Sequence, residues 1–226
     1  MLTGRRRLGY ALAVTATVLV VLAAVVAAVV VVRPTPPEGV RVVPDSSIVT
    51  VPGYERGCKP EQGCVFGPAW SDDVAVAGGR NGCDTRNDLL GQTLDNVQHR
   101  PGTRNCVVIS GDFVDPYSGR RVRFTKQDAA QVHVDHVFAL AAAWNRGAAA
   151  WTPQRRRDFA NDPLNLVVTT ASANQSKGDR TPARWLPEAA AGRCLFVSRF
   201  VEVAQRYQLP ITAGDLRVID RVQRGC

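Results

Sequence analysis

The residues best suited to chemistry lie in Val132-His133-Val134-Asp135-His136-Val137, which holds two of the chain's three histidines around one aspartate. A carboxylate can bind a hard divalent cation, and an imidazole can take a proton from water near neutral pH. An Asp-His pair alone is a weak signal, because such dipeptides are common. What strengthens it is the order that follows. Asn165 precedes a β-branched run, Asn174 lies in the segment after that run, and Lys177 comes three residues later, where side chains share a helix face. Asp135 and Asn174 can then approach one ion from two elements. Two protein ligands leave room for water and phosphate oxygens, which is how Mg²⁺ is usually held. Strand alternation puts His133 and Asp135 on one face and His136 on the other. His133 therefore reads as a neighbour pointing away from His136, not as a third ligand.

The elements that must position these residues can be read from pattern. Residues 132–137 form a short strand, and Leu166-Val167-Val168-Thr169-Thr170 is the clearest strand in the chain by β-branching. Ser172-Ala173-Asn174-Gln175-Ser176-Lys177 reads as a short helix stopped by Gly178. Between the strands, residues 138–146 are Ala-rich and helical, and Thr152 with Pro153 marks the start of a second helix ending near Asn161-Asp162-Pro163. Upstream, Asp84 or Thr85 caps a helix over residues 86–97, where Leu89, Leu90, Leu94 and Val97 recur at helical spacing. Strands are expected at residues 106–110 and 121–124, joined across an Asp115-Pro116-Tyr117-Ser118-Gly119 turn. Residues 194–207 form a packing helix. Residues 54–82, rich in Gly, Pro and Cys, read as a disulfide-held loop region.

Val134-Asp135-His136-Val137, Asp162-Pro163-Leu164-Asn165-Leu166 and Ala173-Asn174-Gln175-Ser176-Lys177-Gly178-Asp179 together resemble the HNH endonuclease family. The likeness is closest to exported bacterial members, which share Cys83-Asp84-Thr85-Arg86, Asp115-Pro116-Tyr117, Ala143-Trp144, Gly147-Ala148 and Trp151-Thr152, over roughly residues 54–210. The resemblance implies an α+β fold with a ββα-metal (His-Me finger) core, added helices and a disulfide-stabilised N-terminal region. It also implies phosphodiester hydrolysis, with His136 as general base and Asp135 and Asn174 as ligands of Mg²⁺, or alternatively Mn²⁺. Asn165 would orient the connecting loop or His136, and Lys177 would contact substrate phosphate or developing charge. Arg86 is read as a phosphate clamp or as half of a structural ion pair. The chain departs from the family in having Asn174 where many members carry His, and in the insertion over residues 138–162. That insertion brings Arg155, Arg156 and Arg157, either a grip on a phosphate backbone or a solvated helix face. Its Trp144 and Trp151 read as core. His99 reads as a surface residue.

Composition sets the compartment. Residues 8–32 are almost wholly apolar and follow Arg5-Arg6-Arg7, which fits a membrane-crossing helix with a cytoplasmic N-terminus or a long signal peptide cleaved near Val26-Ala27-Ala28. The expected division is a signal anchor or signal peptide over 1–33, a Pro-rich linker over 34–50 and an extracytoplasmic domain over 51–226. All six cysteines fall downstream, where disulfides are permitted. Several connectivities are open, and the shortest loops come from pairing Cys58 with Cys64, Cys83 with Cys106, and Cys194 with Cys226. Of the formal net charge of +8, Arg5, Arg6, Arg7 and Arg33 flank the apolar run, leaving +4. That mild excess fits nucleic acid, DNA sooner than RNA, without requiring it. The chain is expected to be a monomer. Two other readings compete. One is a zinc-dependent cell-wall peptide hydrolase using His133, Asp135 or His136, and His99, which leaves Asn165, Asn174 and Lys177 without a role. The other is a non-catalytic, disulfide-rich ectodomain that binds a surface polymer.

Overall fold

A computed structural model describes residues 34–226, so the membrane or signal helix expected over residues 1–33 lies outside the described residues. Among the described residues no helix is long and apolar enough to cross a membrane. The fold begins earlier than the sequence suggested. Val40 is buried and β1 (Val42–Val43) later pairs, in parallel, with Ile211–Thr212. The Asp45 carboxylate accepts a bond from the Gly214 amide at 3.1 Å. Much of the stretch read as linker is thus part of the folded unit, because the extended backbone of a spacer is also what a short strand pairing needs.

α1 (Thr85–Thr93) starts where expected, with the Asp84 side chain accepting from the Asn87 amide. It stops short of Val97. Leu94 turns to extended backbone, and β2 (Asp95–His99) pairs antiparallel with β3 (Val108–Val114), which pairs with β4 (Arg121–Thr125). Leu89, Leu90 and Leu94 still share one core cluster with Val108, Phe113 and Phe124. The apolar spacing therefore identified the right residues but not the switch from helix to strand.

β5 (Val132–His136) follows, then the insertion with α2 (Leu140–Trp144) and α3 (Pro153–Asn161), then β6 (Leu166–Thr170) and α4 (Ala171–Lys177). β5 and β6 are antiparallel, with Val134 opposite Val168, Asp135 opposite Val167 and His136 opposite Leu166. The chain ends with α5 (Ala190–Tyr207), β7 (Ile211–Thr212) and α6 (Ala213–Gln223). α6 was not foreseen, although Thr212 and Asp215 form a capping box at its start.

The β5-β6 pair divides two cores. Val132, Val134, Leu166 and Val168 pack with the α1 and β2-β3-β4 residues, while Val137, Val167, Phe138, Phe159, Phe196 and Phe200 belong to the other cluster. Each such side chain, fully buried, contributes about 1.5–3 kcal/mol, so the hairpin is held firmly on both faces. The disulfides are Cys58–Cys64, Cys83–Cys106 and Cys194–Cys226, the shortest-loop pairing. The architecture is mixed α+β with disulfides.

Candidate active site

His136 ends β5 on the face shared with Val134 and Leu166, and it is 6% exposed. Its Nε2 lies 2.8 Å from the carbonyl oxygen of Ala160, in the last turn of α3. The final carbonyls of a helix have no partner within the helix, so the insertion offers an acceptor at this point. A carbonyl can only accept; Nε2 therefore carries the proton and Nδ1 keeps its lone pair. Among the described residues no hydrogen-bond partner is found for Nδ1. Trp70 stacks on the ring, with centroids 6.0 Å apart and planes 7° from parallel. Burial pushes the imidazole pKa down to about 3, aided by the positive charges of Arg56 and Lys177 and opposed by the Ala160 carbonyl. His136 is thus neutral at physiological pH.

Asp135 points to the opposite face, toward α4. Its Oδ1 accepts from Lys177 Nζ at 2.9 Å and its Oδ2 from the Tyr117 hydroxyl at 2.8 Å. Burial raises the carboxyl pKa, and the Lys177 ammonium and the Tyr117 hydroxyl oppose that rise. Tyr117 is delivered by the Asp115-Pro116-Tyr117 turn. That turn is fastened to β6 because Asp115 accepts from the Thr169 and Thr170 hydroxyls at 2.7 and 3.0 Å. Gly192 of α5 lets the turn approach: a Cβ there would sit 2.0 Å from the Pro116 carbonyl oxygen.

Lys177 is fully buried, and besides Asp135 its ammonium donates to the carbonyls of His136 at 2.8 Å and Gly178 at 3.4 Å. All three of its donors are used within the fold. The sequence suggested a contact with substrate phosphate; the side chain instead turns inward beneath Asp135, because α4 lays this face against β5.

Asn165 is buried at the end of the insertion. Its Oδ1 accepts from the Phe138 amide at 2.8 Å and its Nδ2 donates to the Phe138 carbonyl at 3.2 Å, which ties down the chain leaving His136. Asn174, half-buried on α4, stands with Nδ2 3.1 Å from Nδ1 of His133. His133, set aside by sequence reasoning, thus meets Asn174, and both line one cleft of about 320 Å³ with Asp135, His136, Tyr54 and Arg56. Among the described residues no group of three or more His, Cys, Asp or Glu side chains could hold a metal ion by itself. Any cation here must draw on an amide, water or substrate. His99 sits on β2, in the other sheet, and lines none of these clefts.

Arg56 and Trp70 were missed, since their loop has no periodicity and neither residue type is diagnostic. Exposed Arg56 also borders an adjoining cleft of about 550 Å³ with Trp70, Arg86, His133 and Asn174. Arg86 forms no ion pair among the described residues; its Nη2 donates to the carbonyls of Val132 at 2.8 Å and Ala129 at 3.3 Å. It braces the start of β5 and lines the adjoining cleft.

The insertion's arginines are structural. Arg155 donates to the Tyr207 carbonyl at 3.0 Å and covers Trp151, Arg156 donates to the Val65 carbonyl at 2.6 Å and covers Trp144, and Arg157 pairs with Asp73 at 2.6 Å. Each is thereby drawn away from the phosphate grip considered from sequence. Trp144 is buried, and Trp151 packs on Phe159 and Tyr207, as core residues.

Residues 84–213 match the family model described as GmrSD restriction endonucleases, C-terminal domain, and this segment contains β5, β6 and α4 but not Tyr54, Arg56 or Trp70. A protein of Arthroderma benhamiae, named only as an uncharacterized secreted protein, is 34% identical over 146 residues, spanning 64% of this chain and 68% of its own length. No solved structure matches.

Proposed function

The chain belongs to the family of the C-terminal domain of GmrSD restriction endonucleases, and from that premise we propose an HNH-type, metal-dependent endonuclease that hydrolyses phosphodiester bonds outside the cytoplasm. The observation that carries the reading is the state of His136. Its Nε2 proton is committed to the Ala160 carbonyl at 2.8 Å, the ring is neutral, and Nδ1 is left to accept a proton. The free Nδ1 is the acceptor a general base needs, and a pKa of about 3 makes it a weak one until a bound group raises its proton affinity. A low proton affinity keeps His136 in its base form throughout the physiological range, and the negative charge of a bound phosphate beside it raises that affinity.

Asp135 and Asn174 would hold the cation, Mg²⁺ or Mn²⁺. Their oxygen donors suit a hard ion, and the cleft leaves space for water and substrate beside them. When bound, such an ion polarises the phosphoryl group and offsets the charge that develops on it. The remaining work falls to the chain. His136 takes the proton of the attacking water through Nδ1, and Asn165 fixes the backbone that leaves it. Arg56, exposed at the cleft, attracts the phosphate backbone without reading bases. Lys177 and Tyr117 hold the Asp135 carboxylate in place from the protein side. In this reading the β5-β6-α4 unit is a ββα-metal core.

Three disulfides fit an oxidising compartment, and the Arthroderma benhamiae relative is named as secreted. Both support extracytoplasmic action. Among the described residues no separate base-reading element stands beside the cleft, and DNA without sequence preference is the substrate we favour.

The test is to incubate the full-length chain with supercoiled plasmid and Mg²⁺ or Mn²⁺, with and without chelator, beside His136→Ala. Expected are nicking and linearisation that chelator abolishes and that His136→Ala slows by about 10²- to 10⁴-fold. Plasmid left intact by the wild-type chain in every lane refutes the proposal.

A further inference from the structure

We propose that His133 is a third protein ligand of the cation, which makes the centre an imidazole-amide-carboxylate set formed by His133, Asn174 and Asp135. The inference rests on the reading that this site takes a divalent cation, and it adds a nitrogen donor that the Asp135-Asn174 pair lacks.

The first support is placement. His133 and Asp135, two residues apart on β5, share the face that α4 covers. They meet Asn174 and Lys177, three residues apart on one side of that helix. Two adjacent rungs therefore bring His133 to Asn174 and Asp135 to Lys177, with the first rung toward the open cleft and the second buried.

The second support is spacing. His133 Nδ1 and Asn174 Nδ2 are 3.1 Å apart, and a half-turn of the amide puts Oδ1 where Nδ2 stands. Two donors bound side by side to one octahedral ion, with bonds of about 2.1 Å, lie about 3 Å apart. The pair already has the separation that shared ligation demands, and among the described residues neither side chain has another hydrogen-bond partner.

The third support is the state of Asp135. Its oxygens receive hydrogen bonds from Lys177 and Tyr117, with a further one from the His136 backbone, and the two oxygens of an ionised carboxylate carry about four lone-pair sites, which leaves one to give. With an ammonium 2.9 Å away, however, it is a weakened anion for a cation to rely on. A neutral imidazole adds a strong donor and no charge. It also alters selectivity: carboxylate and carbonyl oxygens favour Mg²⁺, whereas imidazole favours the later first-row metals, and affinities rise from Mn²⁺ onward. The site should hold Mn²⁺ more tightly than Mg²⁺.

The experiment is titration of the full-length chain with Mn²⁺ alone, followed by pulsed electron paramagnetic resonance to detect nitrogen coupled directly to the bound ion. Wild type and His136→Ala are expected to show the coupling. His133→Ala should lose it and bind Mn²⁺ at least about tenfold more weakly, since even groups behind the ligands cost 10- to 100-fold. His133→Glu, which keeps a donor in place and guards against a merely unfolded variant, should retain Mn²⁺, lack the coupling and narrow the preference for Mn²⁺ over Mg²⁺. Coupling that persists in His133→Ala overturns the proposal. Bound Mn²⁺ with no nitrogen coupling in wild type also overturns it, while leaving the metal reading intact. A wild-type chain that binds no Mn²⁺ overturns both.

Discussion

Replacing Lys177 by Met separates two accounts of that residue. Met fills a similar volume, so the change removes charge and donors without opening a large cavity. In wild type the ammonium sits 2.9 Å from Asp135 and 2.8 Å from the His136 carbonyl, with the side chain wholly buried. Its loss leaves a carboxylate, 4% exposed, supported by the Tyr117 hydroxyl and the His136 backbone without a countercharge. Removing one partner of a buried pair costs about 3–5 kcal/mol, which for a domain of this size lowers Tm by roughly 6–20 °C. The assay is unfolding by circular dichroism, thermal and in urea, under non-reducing conditions. It is repeated for Asp135→Asn and for the double variant. Because the two groups act on each other, the double variant should be more stable than the sum of the singles predicts, with a coupling energy above about 1 kcal/mol. A loss below about 1 kcal/mol, combined with a raised KM for DNA, refutes the argument. It would mean that Lys177 reaches out to phosphate instead of in to Asp135.

Two further outcomes follow from the same geometry. His136 titrates at about 3 in the fold against an ordinary value of 6.5, so the unfolded state binds the extra proton and stability falls as pH drops through the window from about 6.5 to 3, at up to roughly 1.4 kcal/mol per unit. Urea midpoints measured against pH should decline more steeply for wild type than for His136→Gln above pH 5, and parallel curves would count against a buried neutral imidazole. Gly192→Ala should cost about 1–3 kcal/mol and also slow DNA cleavage, because its Cβ meets the Pro116 carbonyl at 2.0 Å and the displaced turn carries Tyr117. Gly91→Ala is the control: its nearest neighbour is the His99 side chain at 3.8 Å, so a stable, active variant is expected there and a damaged one would undercut the comparison.

What could be read from the sequence was what depends on local chemistry. β-branching located β6, the Thr152-Pro153 pair located the start of α3, and the disulfides that form are the shortest-loop set among the several connectivities the sequence left open. Reading failed where distant packing decides. Leu94 leaves α1 because its extended backbone lies against β3, where Gly111 allows an approach so close that a Cβ would meet the Leu94 Cβ at 2.8 Å. No pattern within residues 86–97 records that contact. The spacing of Asn174 and Lys177 correctly implied a shared helix face, but spacing cannot say whether that face looks toward solvent or toward β5. His133 was discounted because alternation separates it from His136, which is true. The same alternation puts it on Asp135's side of the strand; what no local pattern records is that α4 lays Asn174 against that side, 3.1 Å from the His133 ring.

The insertion shows how a site can depend on residues that touch no substrate. Sequence alone drew attention to its arginines, and the structure spends all three on holding α3 against Val65, Asp73 and Tyr207. That anchoring fixes where the helix ends. A helix's last carbonyls are its only unsatisfied acceptors, and one of them, on Ala160, orients His136. The negative end of the helix dipole would by itself favour a charged imidazolium, by about 0.3–1 kcal/mol near a surface. Burial acts in the opposite direction and is the larger influence, since the pKa falls and does not rise. The helix therefore sets which nitrogen carries the proton, while burial sets that there is only one.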